Sequence, residues 1–351
     1  MNSINPTNPL AEDLDHILTH THDLWEELRN QRIFITGGTS FFGCWLLESF
    51  AWANDNLDLN ASALVLTRNY DVFQKKAPHL AANPTIQFHI GDVRNFNFPD
   101  GEFSHIIHAA SISATAKFNN AESLMMFDTI VEGTRHTLNF AVQCRAKKFL
   151  LTSSGAVYGK QPFSMTHVSE DYCGAPDPVD PHSVIGESKR ATELLCMLYS
   201  SKEGIETKIA RCFAFVGPYL PLDIQYAIGN FIHDGLQNKP IIIKGDGSPY
   251  RSYLYAADLA IWLWTILFQG KICRPYNVGS EEEIDIHTLA KIVAQTVQPE
   301  LEVRVMQKRM PNRPVERYVP STYRARNELG VKQAISLRDS IKRTMEWNNL
   351  R

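Results

Sequence analysis

The sequence predicts an α/β protein: a doubly wound parallel sheet that carries a smaller C-terminal lobe. Apolar runs of strand length recur at 32–36, 62–67, 86–90, 105–110 and 148–154, with helical stretches between them. These runs are predominantly apolar, which is the pattern of strands in a sheet covered on both faces. The first run also leads directly into a glycine-bearing turn, TGGTSFFG at 36–43, that opens a helix.

Along the chain, residues 1–31 read as an N-terminal helical extension. Leu14, Ile17, Leu18, Leu24 and Leu28 have helical spacing, so Asp13 to Leu28 is expected to form one amphipathic helix on the domain edge. Residues 32–215 read as the first domain, with right-handed crossovers. Its longest helix is expected near 120–144; a helix over 184–204 and a strand over 207–215 follow. Pro162, Pro176, Pro178 and Pro181 mark the irregular stretch before that helix. Residues 216–351 read mainly as a smaller substrate-binding lobe, interleaved with the first domain.

Composition narrows the function. Hydrophobic residues make up 44% and charged residues 21%, and the formal charge is -3. That balance gives no basic field for nucleic acid. No apolar run is long enough to span a bilayer, and the acidic, polar start lacks a signal-peptide pattern. The six cysteines show no metal-type spacing, so no metal is expected and a reducing, cytoplasmic location fits.

The turn after the first strand suits a dinucleotide pyrophosphate. Gly37 and Gly43 permit a tight turn and close backbone approach, and the helix start offers free N–H groups. Thr39, Ser40, Phe41 and Phe42 complete this cofactor loop. Ser40 stands where the usual pattern has its second spaced glycine, at some cost in clearance. Arg68, after the second strand, falls where a 2′-phosphate is read, which leans the cofactor from NAD towards NADP; it serves equally as a solvated loop residue or a partner for adenine. Asp92, followed by Val93, could accept from the adenine amine or simply cap a loop. These features define a Rossmann-type site for NAD or NADP.

Together the motifs resemble the extended short-chain dehydrogenase/reductases, the nucleotide-sugar epimerases and dehydratases. The resemblance runs from about residue 32 to 347 through TGGTSFFG, GDV (91–93), HAAS (108–111), TSSGAVYG (152–159), GESK (186–189), RCFAFVGPY (211–219), GDGSPYRSYLYAADL (245–259), YNVGS (276–280) and RPVERYVPS (313–321). It implies an isomerase or lyase of the kind used in polysaccharide biosynthesis, acting through transient oxidation at sugar C4. It adds Ala109, Ala110 and Ser111 to the cofactor site. It places Ser154 on the sugar's reacting oxygen and Lys189 on the nicotinamide ribose, although Ser154 could merely cap a strand and Lys189 could be a surface residue.

The resemblance also breaks. The family's Tyr-x-x-x-Lys pattern has Ile185 in the tyrosine place, and Ile cannot exchange a proton. His182, Ser183 and Glu187 are the nearby candidates for that work; Glu187 could instead pair with Arg190 or Lys189. Gly155 and Ala156 follow Ser154 where dehydratases carry an acidic residue, which disfavours a standard 4,6-dehydratase. Ile130 and Ala214 replace two customary asparagines. In the lobe, Arg251, Arg313 and Arg317 match positions that hold a substrate diphosphate or base, with Asn230 assisting. The partner implied is a nucleotide-sugar (NDP-hexose), and the family's habit implies a homodimer through the two long helices. Two readings stay open: an active enzyme, or a degenerate NAD(P)/nucleotide-sugar binder acting as a sensor or partner subunit.

Overall fold

The computed structural model describes residues 8–111, 120–224, 226–297, 301–310 and 314–350. In the first part α1 (Ala11–Thr21), β1 (Arg32–Thr36), α2 (Phe41–Asn56) and β2 (Ser62–Thr67) are followed by short helices α3 (Tyr70–Lys76) and α4 (Pro78–Ala81). Then come β3 (Ile86–Ile90), β4 (His105–His108), α5 (Asn120–Gln143), β5 (Lys148–Ser154), α6 (Val184–Glu203) and β6 (Glu206–Cys212). The later part holds β7 (Phe215–Val216), α7 (Ala227–Leu236), β8 (Ile241–Ile243), β9 (Tyr250–Arg251), β10 (Leu254–Tyr255) and α8 (Ala256–Gln269). It ends with β11 (Pro275–Val278), β12 (Ile284–Asp285), α9 (Ile286–Val297), β13 (Val303–Val305), β14 (Arg317–Tyr318), α10 (Tyr323–Leu329) and α11 (Leu337–Asn349).

Seven strands form one parallel sheet in the order β11-β6-β5-β4-β1-β2-β3. The chain leaves β1 to one side through β2 and β3, then returns to the other side at β4. The switch point therefore lies between β1 and β4, where a doubly wound sheet opens its ligand crevice. β11 joins the sheet edge from the later part of the chain, so the two parts share a sheet.

The apolar runs become strands because helices cover both faces of the sheet. α8 is buried along almost its whole length; it lies between β5 and β6 on one side and α1 and α2 on the other. The lobe has its own core of Ile228, Phe231, Ile232, Ile241, Leu289, Val293 and Ile341.

Three elements differ from expectation, the first being the strand expected over 105–110, which ends at His108. The single helix expected over 13–28 is α1 followed by a 3-10 turn over His22–Leu28. Thr21 marks the change: its hydroxyl donates to the Ile17 carbonyl at 2.6 Å and accepts from Trp25 Nε1 at 2.8 Å, drawing Trp25 inward. The strand expected over 207–215 stops at Cys212, and Phe215–Val216 pairs with β10. The extension is tied to the lobe through Asp13, which accepts from Tyr255 Oη at 2.6 Å and pairs with Arg343.

Candidate functional site

The glycine turn meets the neighbouring strand without room for side chains. Gly37 has φ +71°, and a Cβ there would come within 2.4 Å of the Ala109 backbone. A Cβ on Gly43 would lie 2.2 Å from Gly38. Ala110 N donates to Thr36 Oγ1 at 3.3 Å, which fastens the switch point. Ser40 is the N-cap of α2, and its Oγ accepts from Gly43 N at 3.2 Å. It thus serves as a cap in the place of the second spaced glycine. The first turn of α2 has no acidic residue, so its dipole is free for an anion. Phe42 turns its ring edge against Phe215 at 5.1 Å, and Phe41 packs between the two cores. Lys76 Nζ donates to the Thr39 carbonyl at 3.1 Å, a cation on the loop that no motif announced.

The adenosine end lies beyond β2 and β3. Arg68 is exposed and lines a shallow hollow with Asn69, Tyr70, Asp71, Phe88 and Ile90. Asp92 is held by Arg94 through two side-chain bonds, at 2.9 and 3.0 Å, which keep its carboxyl below the usual range; Arg68 adds to the effect. Val93 is buried against Gly133, while Ser111 is exposed three residues after β4.

At the carboxyl end of β5, Lys189 is buried and its Nζ donates to the Thr152 carbonyl at 2.6 Å. Burial pulls its pKa down to about 8. It forms no ion pair among the described residues. Ser154 is half-buried at the strand's last position, and its Oγ accepts from Ala156 N at 3.1 Å. Beneath them His108 is clamped between the Thr36 and Thr134 hydroxyls, at 2.9 and 3.0 Å. Burial, and secondarily the Lys189 charge, lower its pKa to about 3 and keep it neutral.

Ile185 sits half-buried in the first turn of α6, and its carbonyl accepts from Ser188 Oγ at 3.2 Å. Glu187 lies near Arg190 at 3.8 Å. His182 is exposed and engaged with Asp180 at 2.9 Å, and Ser183 precedes the helix without a capping bond.

The lobe contributes a three-stranded sheet, β12-β9-β14, in which Arg251 of β9 stands in register with Tyr318 of β14. Arg251 is half-buried and donates to the Tyr250 carbonyl at 2.8 Å. Arg317 is committed elsewhere: it pairs with Glu283 at 3.2 Å and stacks over Tyr250 at 4.6 Å. Asn230 is half-buried on α7, and Arg313 lies outside the described residues.

Two features escaped the sequence reading. One is a buried chain in which Glu193 accepts from Ser153 at 2.5 Å and from Arg211 at 2.7 Å, while Arg211 reaches Tyr158 Oη at 2.9 Å. Tyr158 in turn donates to Asn277 at 2.7 Å, so the tyrosine of the TSSGAVYG motif is a structural one. The other is Tyr318, whose hydroxyl lies 2.8 Å from where a Cβ on Gly155 would stand, beside the Ser154 end of β5. No spacing rule links residues 154 and 318; only the lobe's position brings them together.

The sheet order and the glycine turn at its switch point define a doubly wound dinucleotide-binding fold. A family model described as the NAD dependent epimerase/dehydratase family matches residues 33–279. The chain belongs to that family, and the expected Rossmann-type fold and NAD-dependent epimerase/dehydratase-type enzyme class hold at that level. UDP-glucuronic acid decarboxylase 4 of Arabidopsis thaliana is 29% identical, over 88% of this chain and 67% of that protein. UDP-glucuronic acid decarboxylase 1 of Xenopus tropicalis is 26% identical, over 98% of this chain and 79% of that one. Among solved structures, UDP-glucuronic acid 4-epimerase from Bacillus cereus in complex with NAD superposes with a TM-score of 0.75 at 21% identity, over 91% of this chain and 99% of that one. The dTDP-glucose 4,6-dehydratase from Streptomyces venezuelae also gives 0.75, at 23% identity, over 91% and 97%. These two likenesses are likenesses of fold. Among the described residues no helix is long and apolar enough to cross a membrane.

Proposed function

We propose that the chain is an NAD(P)-dependent nucleotide-sugar enzyme whose cycle opens with oxidation at sugar C4. The observation that carries the reading is Lys189. A buried ammonium without a carboxylate partner costs several kcal/mol, so its upkeep suits a ligand better than the fold. It stands on the same sheet edge as Ser154 and the glycine turn.

The cradle fits a dinucleotide, because added Cβ atoms at Gly37 or Gly43 would collide with backbone. The turn from Gly37 to Gly43, with Thr39, Ser40, Phe41 and Phe42, holds the pyrophosphate. Arg68, Asp92 and Val93 flank the adenosine; Ala109, Ala110 and Ser111 line the middle; Lys189 holds the nicotinamide ribose. Bound NAD(P)+ supplies a hydride acceptor. Ser154 orients the reacting sugar oxygen, and Arg251 grips the diphosphate with Asn230 assisting. Arg317 would have to leave Glu283 to join them. Residues 32–215 thus serve the cofactor and 216–351 mainly the substrate, with 1–31 as an extension.

The named relatives act on UDP-glucuronic acid, which makes it the first substrate to try. With Gly155 and Ala156 after Ser154, no acid stands there to expel water. A C4 ketone beside a C6 carboxylate is a β-keto acid and loses carbon dioxide without one, while a neutral hexose would be epimerised. The exposed apolar residues of α5 and α6 support a homodimer, and cysteines that form no disulfide among the described residues suit a reducing cytoplasm.

The experiment is incubation with NAD+ or NADP+ and a panel of UDP- and dTDP-sugars, read by NMR and mass spectrometry. A new sugar supports the enzyme. Binding without any product favours the second reading, a degenerate binder, for which the hydrocarbon side chain of Ile185 four residues before Lys189 is the supporting observation.

A further inference from the structure

If the cycle opens at sugar C4, some group must take the hydroxyl proton as hydride leaves. Ile185 cannot. His182 is exposed and held by Asp180, and Glu187 lies towards Arg190. The structure offers a different hydroxyl, and it comes from the lobe.

Tyr318 ends β14 next to Arg251 of β9. Its ring packs on Phe213, with centroids 4.7 Å apart, and this contact aims the hydroxyl at the end of β5. There a Cβ added to Gly155 would come within 2.8 Å of Tyr318 Oη, so the absence of a side chain at 155 makes room for the phenol. Ser154, the residue expected on the sugar oxygen, is the chain neighbour of Gly155 at the same strand end. We propose that Tyr318 is the proton-exchanging residue of this site, reaching Ser154 and the sugar oxygen from the lobe in place of a tyrosine at 185. The inference rests on the proposed C4 oxidation.

The surrounding groups suit the role. Burial pushes the Tyr318 hydroxyl up to about 12, while the nearby Ser154 and the Arg251 charge act against that rise. Cys212 and Tyr226 are the other titratable groups that face it, and both oppose ionisation. Tyr318 enters as the phenolate, its own proton having gone to solvent. The sugar C4–H bond then breaks with its electron pair leaving to the hydride acceptor. The O–H bond breaks with its proton passing to Tyr318 Oη, directly or through Ser154, and C4 becomes a carbonyl. The return step reverses both transfers.

The test compares wild type, Tyr318→Phe and the double variant Tyr318→Phe with Ile185→Tyr, each loaded with NAD+. Tyr318→Phe keeps the ring against Phe213, so a melting curve and NAD+ affinity like wild type are expected. Turnover of UDP-glucuronic acid should fall ~10²–10⁴-fold, the range of general-base assistance. In calorimetry the Kd for UDP-glucuronic acid should rise ~2–10-fold through the lost hydrogen bond, with that for UDP unchanged. The double variant should recover part of the rate. The wild-type rate should climb into the alkaline range, and the Tyr318→Phe rate should not. An active wild type matched by Tyr318→Phe in rate and affinity overturns this inference alone. A wild type that binds UDP-glucuronic acid and NAD+ yet turns over no sugar of the panel overturns the proposed oxidation and this inference together.

Discussion

The Lys189 ammonium donates to the Thr152 carbonyl at 2.6 Å from inside the protein, and its pKa stands at about 8 against an ordinary 10.5. Between those values the unfolded chain binds the proton and the native state does not, so this group makes stability rise with pH across about 8 to 10.5. Lys189→Met removes that contribution. Urea melts across this range should show wild type gaining on Lys189→Met as pH increases. A constant difference would place the ammonium in water.

Arg68 lies exposed in the hollow after β2, within electrostatic range of Asp92. Arg68→Ala is expected to weaken NADPH binding ~10-fold or more and NADH binding far less, since a charge-assisted contact is worth about 1.5–3 kcal/mol. Calorimetric titration with both cofactors decides it; equal losses would remove the lean towards NADP.

Arg251 is half-buried and spends one bond on the Tyr250 carbonyl. Its remaining donors can grip a diphosphate, so Arg251→Ala should raise the Kd for UDP ~10–100-fold while cofactor affinity holds. Unchanged UDP affinity would make Arg251 a residue of the lobe's sheet and nothing more.

On α6, Leu194, Met197 and Leu198 are 54%, 42% and 50% exposed at spacings of three and four residues. Leu124 and Phe127 of the adjoining α5 are exposed as well. Leu198→Glu should convert a homodimer to monomer in sedimentation experiments, because a buried unpaired charge costs more than one side chain's packing contributes. A wild-type monomer would remove the basis for the dimer.

The local parts of this protein were legible in the residues themselves. The runs at 32–36, 62–67, 86–90 and 148–154 are strands with the expected limits, because predominantly apolar segments of that length bury well in a covered sheet. The glycine turn was legible for the same reason: positions 37 and 43 admit no side chain, and that demand is local. The family's Ser-to-Lys spacing likewise pointed to residues 154 and 189, which the fold brings to one sheet edge. The tertiary structure decided the rest. That helix 13–28 breaks at Thr21 depends on a bond to Trp25 and on the core that accepts its indole. That Tyr158 is a structural hydroxyl depends on Arg211 and Asn277, which lie 53 and 119 residues away. Tyr318 is the clearest case. Its hydroxyl is written at one position, and the Gly155 turn it lies against stands far off along the chain. Periodicity and motif spacing report what a segment demands of its own neighbours; the meeting of lobe and sheet is fixed only by packing of the whole.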